Sequence, residues 1–289
     1  MYNTEIEKKL LTFLEGTCDG TARITHDLVD SFGEDCMKII NNNLLDARLN
    51  DKWRLRMSNI GRDIRQLHLE KEHGRAALSI QDKLKFTYGA MIEALVVLLL
   101  QASGISIQEA NGKCSLTVSE TQIDGEFDLI IDNKVWDVKS ASPYSYENKF
   151  KDLQSVIDGD EFGYIAQLIG YCWATGKKPG GWIVVNKVTG EIKIVEANFT
   201  NAQVTDAINA IRHTVVHFEQ NMPIPECKGV IDETFRKKPT GNKVLNRSCE
   251  YCSCKFKCHP GLQVKPDVSS KAQNPKVKYY VELNNVPKD

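Results

Sequence analysis

No stretch of these 289 residues has the uninterrupted apolar length that a bilayer-spanning helix needs. The longest apolar run, residues 94–100, is bounded by Glu93 and Gln101 and reads as part of a buried helix. The N-terminus, Met1-Tyr2-Asn3-Thr4-Glu5, lacks the basic-then-apolar order of a signal peptide. These two absences give the expectation of a cytoplasmic protein with no membrane partner. Internal repeats and zinc-finger arrays are also missing, so a repeat scaffold and a modular base-reading protein are not indicated. Neither charge sign dominates: the net charge is −1, which by itself does not suggest a polyanion binder. Disulfides are not expected in a reducing compartment, so the nine cysteines point to metal ligation or buried thiols.

What charge there is divides unevenly. Residues 221–289 hold 13 Lys and Arg against 7 Asp and Glu, and the preceding 220 residues hold 24 against 31. An acidic body with a basic C-terminal part suits a carboxylate metal site beside a polyanion-binding flank. The same division is compatible with an ordinary solvated surface.

Hydrophobic spacing divides the chain into elements. Residues 1–50 read as helical, with Ile6, Leu10, Leu11 and Leu14 at helical spacing. Ser58 reads as the N-cap of a helix carrying Ile60, Ile64, Leu67 and Leu69. Arg54, Arg56, Arg62 and Arg65 surround its start, and both arginines and helix N-termini suit phosphates. Residues 82–102 form the longest helix, whose apolar positions are too widely spread for one stripe and imply cover on several sides. Strands follow at 115–118, 127–132, 134–139, 182–186 and 191–195, with helices at about 164–175 and 201–220. This order predicts an α/β class built on a central sheet flanked by helices, not a bundle. The expected divisions are a helical region 1–80, a core 81–220, a Cys-rich segment 221–263 and a tail 264–289 containing a short strand at 277–283.

The chemistry concentrates in the core. Asp128 ends Gly125-Glu126-Phe127-Asp128, and Asp137 and Lys139 lie in Trp136-Asp137-Val138-Lys139, on two strands joined by Asp132-Asn133. Strand alternation aims Asp137 and Lys139 at one face and Val138 at the other. Glu93 interrupts an apolar helix, where a carboxylate is costly unless paired or metal-bound. Mg²⁺ and Mn²⁺ take oxygen ligands, so Glu93, Asp128, Asp137 and the Val138 carbonyl form a candidate site for them. Such ions activate water and stabilise charge in phosphodiester hydrolysis, with Lys139 orienting or helping to deprotonate the water.

Gly89-Ala90-Met91-Ile92-Glu93, Gly125-Glu126-Phe127-Asp128, Asp137-Val138-Lys139 and Gln167-Leu168-Ile169-Gly170-Tyr171 resemble, in order, the motifs of the RecB-like branch of the PD-(D/E)XK nucleases. Many members carry His where this chain has Glu93. The resemblance implies a restriction-endonuclease-like core of mixed sheet and helices. Asp128, Asp137, Lys139, Gln167 and Tyr171 would then be catalytic. It also implies a DNA exonuclease acting on single-stranded DNA or free ends, in a bacterial or phage-infected cytosol. The competing reading is a non-catalytic DNA-binding or assembly protein that keeps the fold. Tyr144, Tyr146, Phe150 and Phe162 are candidates to stack on bases, and Lys149 and Lys151 to cover the strand.

Cys249, Cys252, Cys254 and Cys258 crowd into ten residues, which in a reducing compartment points to a metal centre. All four could hold one Zn²⁺, although Cys252-Ser253-Cys254 is a cramped bite. Alternatively Cys249, Cys252 and Cys258 have the spacing of RecB-like nucleases with an iron–sulfur cluster, a group that includes a CRISPR-associated exonuclease and phage relatives. The resemblance puts their fourth cysteine far upstream, about where this chain has Asp63. The fourth ligand is therefore open between Asp63 and Cys254, with Cys36 or Cys227 as further candidates. Cys18, Cys114 and Cys172 are expected to be small buried residues.

Overall fold

The computed structural model describes residues 4–45, 52–74, 78–267, 270, 273 and 275–284. The expected N-terminal helical region and C-terminal tail each fall partly outside these residues. The chain forms two compact units. The first comprises residues 1–61 and 78–220, and the second residues 62–77 and 221–289. The second unit thus takes a short segment from before the core and joins it to everything after.

The first unit is mixed α/β. It contains α1 (Glu5–Asp19) and α2 (His26–Ile40), while α3 (Ile64–His73) belongs to the second unit. The long helix α4 (Ile80–Ala102) leads into β1 (Ile107–Val118), β2 (Thr121–Ile131) and β3 (Lys134–Ala141). After α5 (Leu153–Asp158) and α6 (Tyr164–Thr175) come β4 (Lys178–Asn186), β5 (Ile192–Glu196) and α7 (Asn201–Glu219). The sheet order is β1-β2-β3-β4-β5, with β3 and β4 parallel and the other neighbours antiparallel. Asp132 and Asn133 both have positive φ, 51° and 60°, as a two-residue hairpin turn requires.

This topology determines what can meet. A parallel pair cannot be joined by a tight turn, so the chain must cross over between β3 and β4. The crossover carries α6, which packs on β1, β3 and β4. Its inward face therefore meets the face of β3 that carries Asp137 and Lys139. The opposite face of the sheet, with Leu129, Ile131, Trp136, Val138 and Ile183, packs on Leu10 of α1 and on Val96, Leu99 and Leu100 of α4. Ser79 caps α4, its hydroxyl accepting from the Asp82 N–H.

Two expectations need correction here. By length and composition α4 does qualify as a bilayer-spanning helix, with 23 residues and a mean hydropathy of 1.5 over 18 of them. Counting only unbroken apolar residues missed it, because Glu93 and Gln101 bound the run; in the fold its apolar stripe lies on the sheet. The expected cover on several sides is present, since α4 packs on α1, α2, β1 and β3, while Phe86 and Leu95 are exposed. The second correction concerns α3. It starts at Ile64 with Asp63 as its N-cap, so Ser58 caps nothing there. Residues 57–61 instead make tight turns, in which the Asn59 side chain accepts from the Arg56 N–H.

The second unit has a four-stranded sheet, β6 (Val230–Phe235), β7 (Lys238–Leu245), β8 (Gln263–Pro266) and β9 (Val277–Glu282), in the order β6-β7-β9-β8. The strand expected in the tail is interior to this sheet. Two one-turn helices, α8 (Arg247–Glu250) and α9 (Lys255–Cys258), lie between β7 and β8. Glu233, 2% exposed, is the polar hub of the unit. It accepts hydrogen bonds from Thr240, Asn242, Lys278 and Tyr280. A buried carboxylate with this many donors is tolerated because its charge is paired and its lone pairs are filled.

Gly125 shows how closely the core is fitted to the site. A Cβ added there would lie 2.5 Å from Met57 Cγ and 2.8 Å from Tyr171 Cε1. Gly125→Ala should cost about 1–3 kcal/mol through overpacking. The expected readout is a lower urea midpoint with an unchanged m-value.

Candidate metal-dependent site and cysteine cluster

The first site forms where β2 and β3 separate. Their pairing ends at Leu129 opposite Trp136, one rung before Asp128 would face Asp137. Beyond that rung a side chain replaces the backbone bond that Val138 would make opposite Phe127: Asp128 Oδ2 accepts from the Val138 N–H at 2.6 Å. A residue's N–H and C=O share one edge of a strand, so the Val138 carbonyl faces the same gap.

Asp137 is 2% exposed, and its Oδ2 lies 2.5 Å from Lys139 Nζ. Lys139 also stands over the Tyr164 ring, 5.2 Å from its centroid. On α6, Gln167 Nε2 donates to the Tyr171 hydroxyl at 3.1 Å, and Tyr171 is 3% exposed. Residues 164, 167 and 171 are three and four apart, so they share the helix face directed at β3. That spacing could have identified Tyr164 in the sequence, where only Gln167 and Tyr171 drew attention.

The electrostatics are those of crowded carboxylates. Burial pushes Glu93 up to about 7, with Asp137 and Glu126 adding to the rise and Lys139 opposing it. Burial also raises Asp128 well above the carboxylate range, reinforced by Asp137 and Glu93. Asp137 is raised by burial too, against the pull of Lys139. Burial works to lower Lys139, but Asp137 and Asp128 outweigh it and the ammonium is held more firmly than usual. Burial raises the Tyr171 phenol, which stays protonated at neutral pH. Three carboxylates therefore share one ammonium. This donor set suits a hard divalent cation, which would supply the missing positive charge through oxygen ligands. Glu93, Asp128, Asp137 and the Val138 carbonyl could hold it.

An open cleft of about 610 Å³ runs beside these residues. Arg54, Arg56, Lys113, Ser115 and Tyr171 are among its lining residues. Arg54 pairs with Asp124 across 3.3 Å at an exposed position, and Asp124 also accepts from Ser115 and Gln122. The aromatic candidates fare unequally. Phe150 is buried against Tyr164 and Trp182 and cannot stack on a base. Lys193 covers the Tyr146 ring, and Tyr144 is exposed. Lys149 lies over the rings of Phe162 and Tyr164.

The second site lies within the second unit. Cys227, Cys249, Cys252 and Cys258 line one cavity together with Asp63, Arg65, Gln66 and His259. The ligand atoms of Cys227, Cys258 and His259 lie within 4.8 Å of one another. Burial raises the thiols of Cys227 and Cys252, and pushes Cys249 up to about 11. A soft cation would displace those protons on binding. The region is thus compatible with a metal centre. Asp63 lines the cavity, but its Oδ1 accepts from the Gln66 N–H as the cap of α3. Cys254 packs with Cys252 and Leu69, with its thiol directed to the Gly74 carbonyl. Cys36 lies on α2 in the first unit. Of the three cysteines expected to be buried, only Cys172 is; Cys114 is half-buried and Cys18 exposed. His259, whose one sequence signal is its position next to Cys258, also belongs to this cluster.

The raised carboxyl groups determine how stability depends on pH. A folded-state pKa above the unfolded one favours the protonated native state, so that stability is present at low pH and lost as pH rises through the folded value. For Glu93 the window runs from about 4.5 to about 7. The metal-free protein should therefore be less stable at pH 8.5 than at pH 5.5, and Glu93→Gln should remove about 1–3 kcal/mol of that difference. Urea midpoints at the two pH values measure it.

No protein-family profile matches the sequence, and no curated protein matches it. Among solved structures, the chain is similar to one described as the crystal structure of SSO0001, with a TM-score of 0.46 and 16% identity over 77% of this chain and 93% of that one.

Proposed function

We propose that the chain is a RecB-like PD-(D/E)XK nuclease with a restriction-endonuclease-like core. It would hydrolyse DNA phosphodiester bonds with Mg²⁺ or Mn²⁺, as an exonuclease on single-stranded DNA or free ends in the cytoplasm. One observation carries this reading: three carboxylates, from buried Asp137 and from half-buried Glu93 and Asp128, lie within electrostatic reach of a single ammonium, that of Lys139. Such a cluster is poorly suited to a merely structural role, because each uncompensated buried charge destabilises the fold.

A divalent cation held by Glu93, Asp128, Asp137 and the Val138 carbonyl would lower the pKa of a bound water, making hydroxide available as the nucleophile, and would supply counter-charge for the phosphate oxygens. The chain's own residues do the rest. Asp128 and Asp137 orient their carboxylates through the Val138 N–H and the Lys139 ammonium. Lys139, firmly protonated, acts as a fixed cation toward the phosphate and the attacking water and does not serve as the base. The Tyr164 ring and the Gln167–Tyr171 pair keep Lys139 in place from α6. Arg54, Arg56 and Lys113 give the adjoining cleft positive groups for a DNA backbone. An iron–sulfur cluster, or Zn²⁺ in its place, would occupy the cysteine cavity and stabilise the second unit.

The test is digestion of end-labelled single- and double-stranded DNA with Mn²⁺ or Mg²⁺. Wild type should degrade DNA, while Lys139→Ala and Asp137→Asn should each be slower by about 100-fold or more with DNA binding retained. Equal rates in wild type and Lys139→Ala would remove the nuclease assignment. Binding without turnover in wild type would favour the non-catalytic alternative. Arg56→Ala should weaken DNA binding and reduce its salt slope by about one.

A further inference from the structure

We infer that Cys227 is the fourth thiolate of a metal centre completed by Cys249, Cys252 and Cys258, in place of Asp63 or Cys254. The inference deepens the metal-centre part of the reading above and does not depend on nuclease activity.

Four observations carry it. First, these four cysteines line one cavity, whereas the thiol of Cys254 faces the Gly74 carbonyl at 3.9 Å. Second, the backbone fixes Cys227 beside Cys249. The Asn246 N–H donates to the Gly229 carbonyl at 2.7 Å, and the Asn246 side chain caps Cys249. A Cβ on Gly229 would lie 2.0 Å from Cys249 Sγ, so only glycine allows the chain after Cys227 to pass this close. Third, N–H donors point at the sulfurs. Arg65 Nε donates to Cys258 Sγ at 3.1 Å while its Nη1 is anchored on the Pro225 carbonyl at 2.8 Å. Gln66 Nε2 reaches Cys249 Sγ at 3.7 Å, and His259 Nε2 stands 3.4 Å from Cys227 Sγ. Hydrogen bonds to coordinating sulfur orient metal thiolates and tune them. Fourth, Oδ1 of Asp63 is already engaged as the cap of α3, and the carboxylate is a hard oxygen donor less suited than a thiolate to a soft metal centre.

Four thiolates are the ligand chemistry of both a tetrahedral Zn²⁺ site and an iron–sulfur cluster. The two are separated by the metal found. The full chain is purified anaerobically, and iron, acid-labile sulfide and zinc are quantified alongside the visible spectrum. Wild type should carry either iron with sulfide and visible absorption, or about one colourless zinc. Cys227→Ser should lose that metal about tenfold or more, while Asp63→Ala, Cys254→Ser and His259→Ala retain most of it. Because a ligand variant could fail to fold, the wild type is also alkylated before and after chelation and mapped by mass spectrometry. Cys227, Cys249, Cys252 and Cys258 should gain reactivity together on metal removal. Full metal content in Cys227→Ser, or chelator-independent labelling of Cys227, overturns the assignment. So does metal loss in His259→Ala with retention in Cys227→Ser. Wild type without any metal removes the centre itself and this assignment with it, leaving the nuclease reading to the digestion assay.

Discussion

The first unit turns on one substitution of partners: just past the Leu129–Trp136 pair, the Asp128 carboxylate takes the Val138 N–H that the Phe127 carbonyl would hold if pairing continued. The hairpin opens at that point, and the opening exposes two carboxylates and a backbone carbonyl to one volume. Had pairing continued by another residue, Asp128 and Asp137 would have stood directly opposite as like charges, which destabilises a sheet. Splaying the strands relieves that contact and leaves the negative charge in place. It leaves Lys139 as the compensating charge at hand, and in the proposed function a divalent cation would supply the rest.

The helices on the two faces then have different tasks. α4 brings Glu93 to the gap from a helix whose apolar residues lie on the sheet. α6, required by the parallel β3–β4 crossover, brings Tyr164, Gln167 and Tyr171 over the ammonium. Gly125 and Gly163 set how near α6 can come. A side chain on the first would strike Tyr171, and one on the second would strike Gly61, whose carbonyl would be 2.5 Å away. Packing and chemistry are therefore set by the same close approaches. A volume change at either glycine should move the Gln167–Tyr171 pair as well as lower stability.

Much of this was legible in the sequence because the signals were local. The Asp132-Asn133 turn, the alternation in Asp137-Val138-Lys139 and the apolar run around Glu93 each follow from a few neighbouring residues. The 164–175 helix coincides with α6 for the same reason. What was not legible depends on long-range pairing. Only the register of β1 on β2 shows that β1 begins at Ile107, since its N-terminal half is too polar to signal a strand. The position of β9 between β7 and β8 is likewise invisible in a polar tail. Phe150 failed as a base-stacking candidate because burial against Trp182 is tertiary and leaves no local trace. Ser58 failed as a cap because two good caps, Ser58 and Asp63, stand five residues apart, and the turns at Asn59 and Gly61 decide between them.

The proposed ligand set at the cysteine cavity also bears on what a metal held there would do for folding. Asp63 and Cys249 are 186 positions apart along the chain; Cys227 and Cys249 are 22 apart. Closing the longer loop would remove about 2 kcal/mol more entropy from the unfolded chain than closing the shorter one. With Asp63 as ligand, the metal would constrain the whole intervening core, and its loss would be felt throughout the first unit. With Cys227, all four ligands follow α7 in the chain, and the direct constraint is confined to the second unit. The carboxylate site then depends on the hairpin and on α4 and α6, all of which precede Cys227 in sequence. The coupling between the two sites would accordingly be weak in thermodynamic terms: loss of a metal from the cysteine cavity would loosen the second unit and leave the arrangement of Asp128, Asp137 and Lys139 in place.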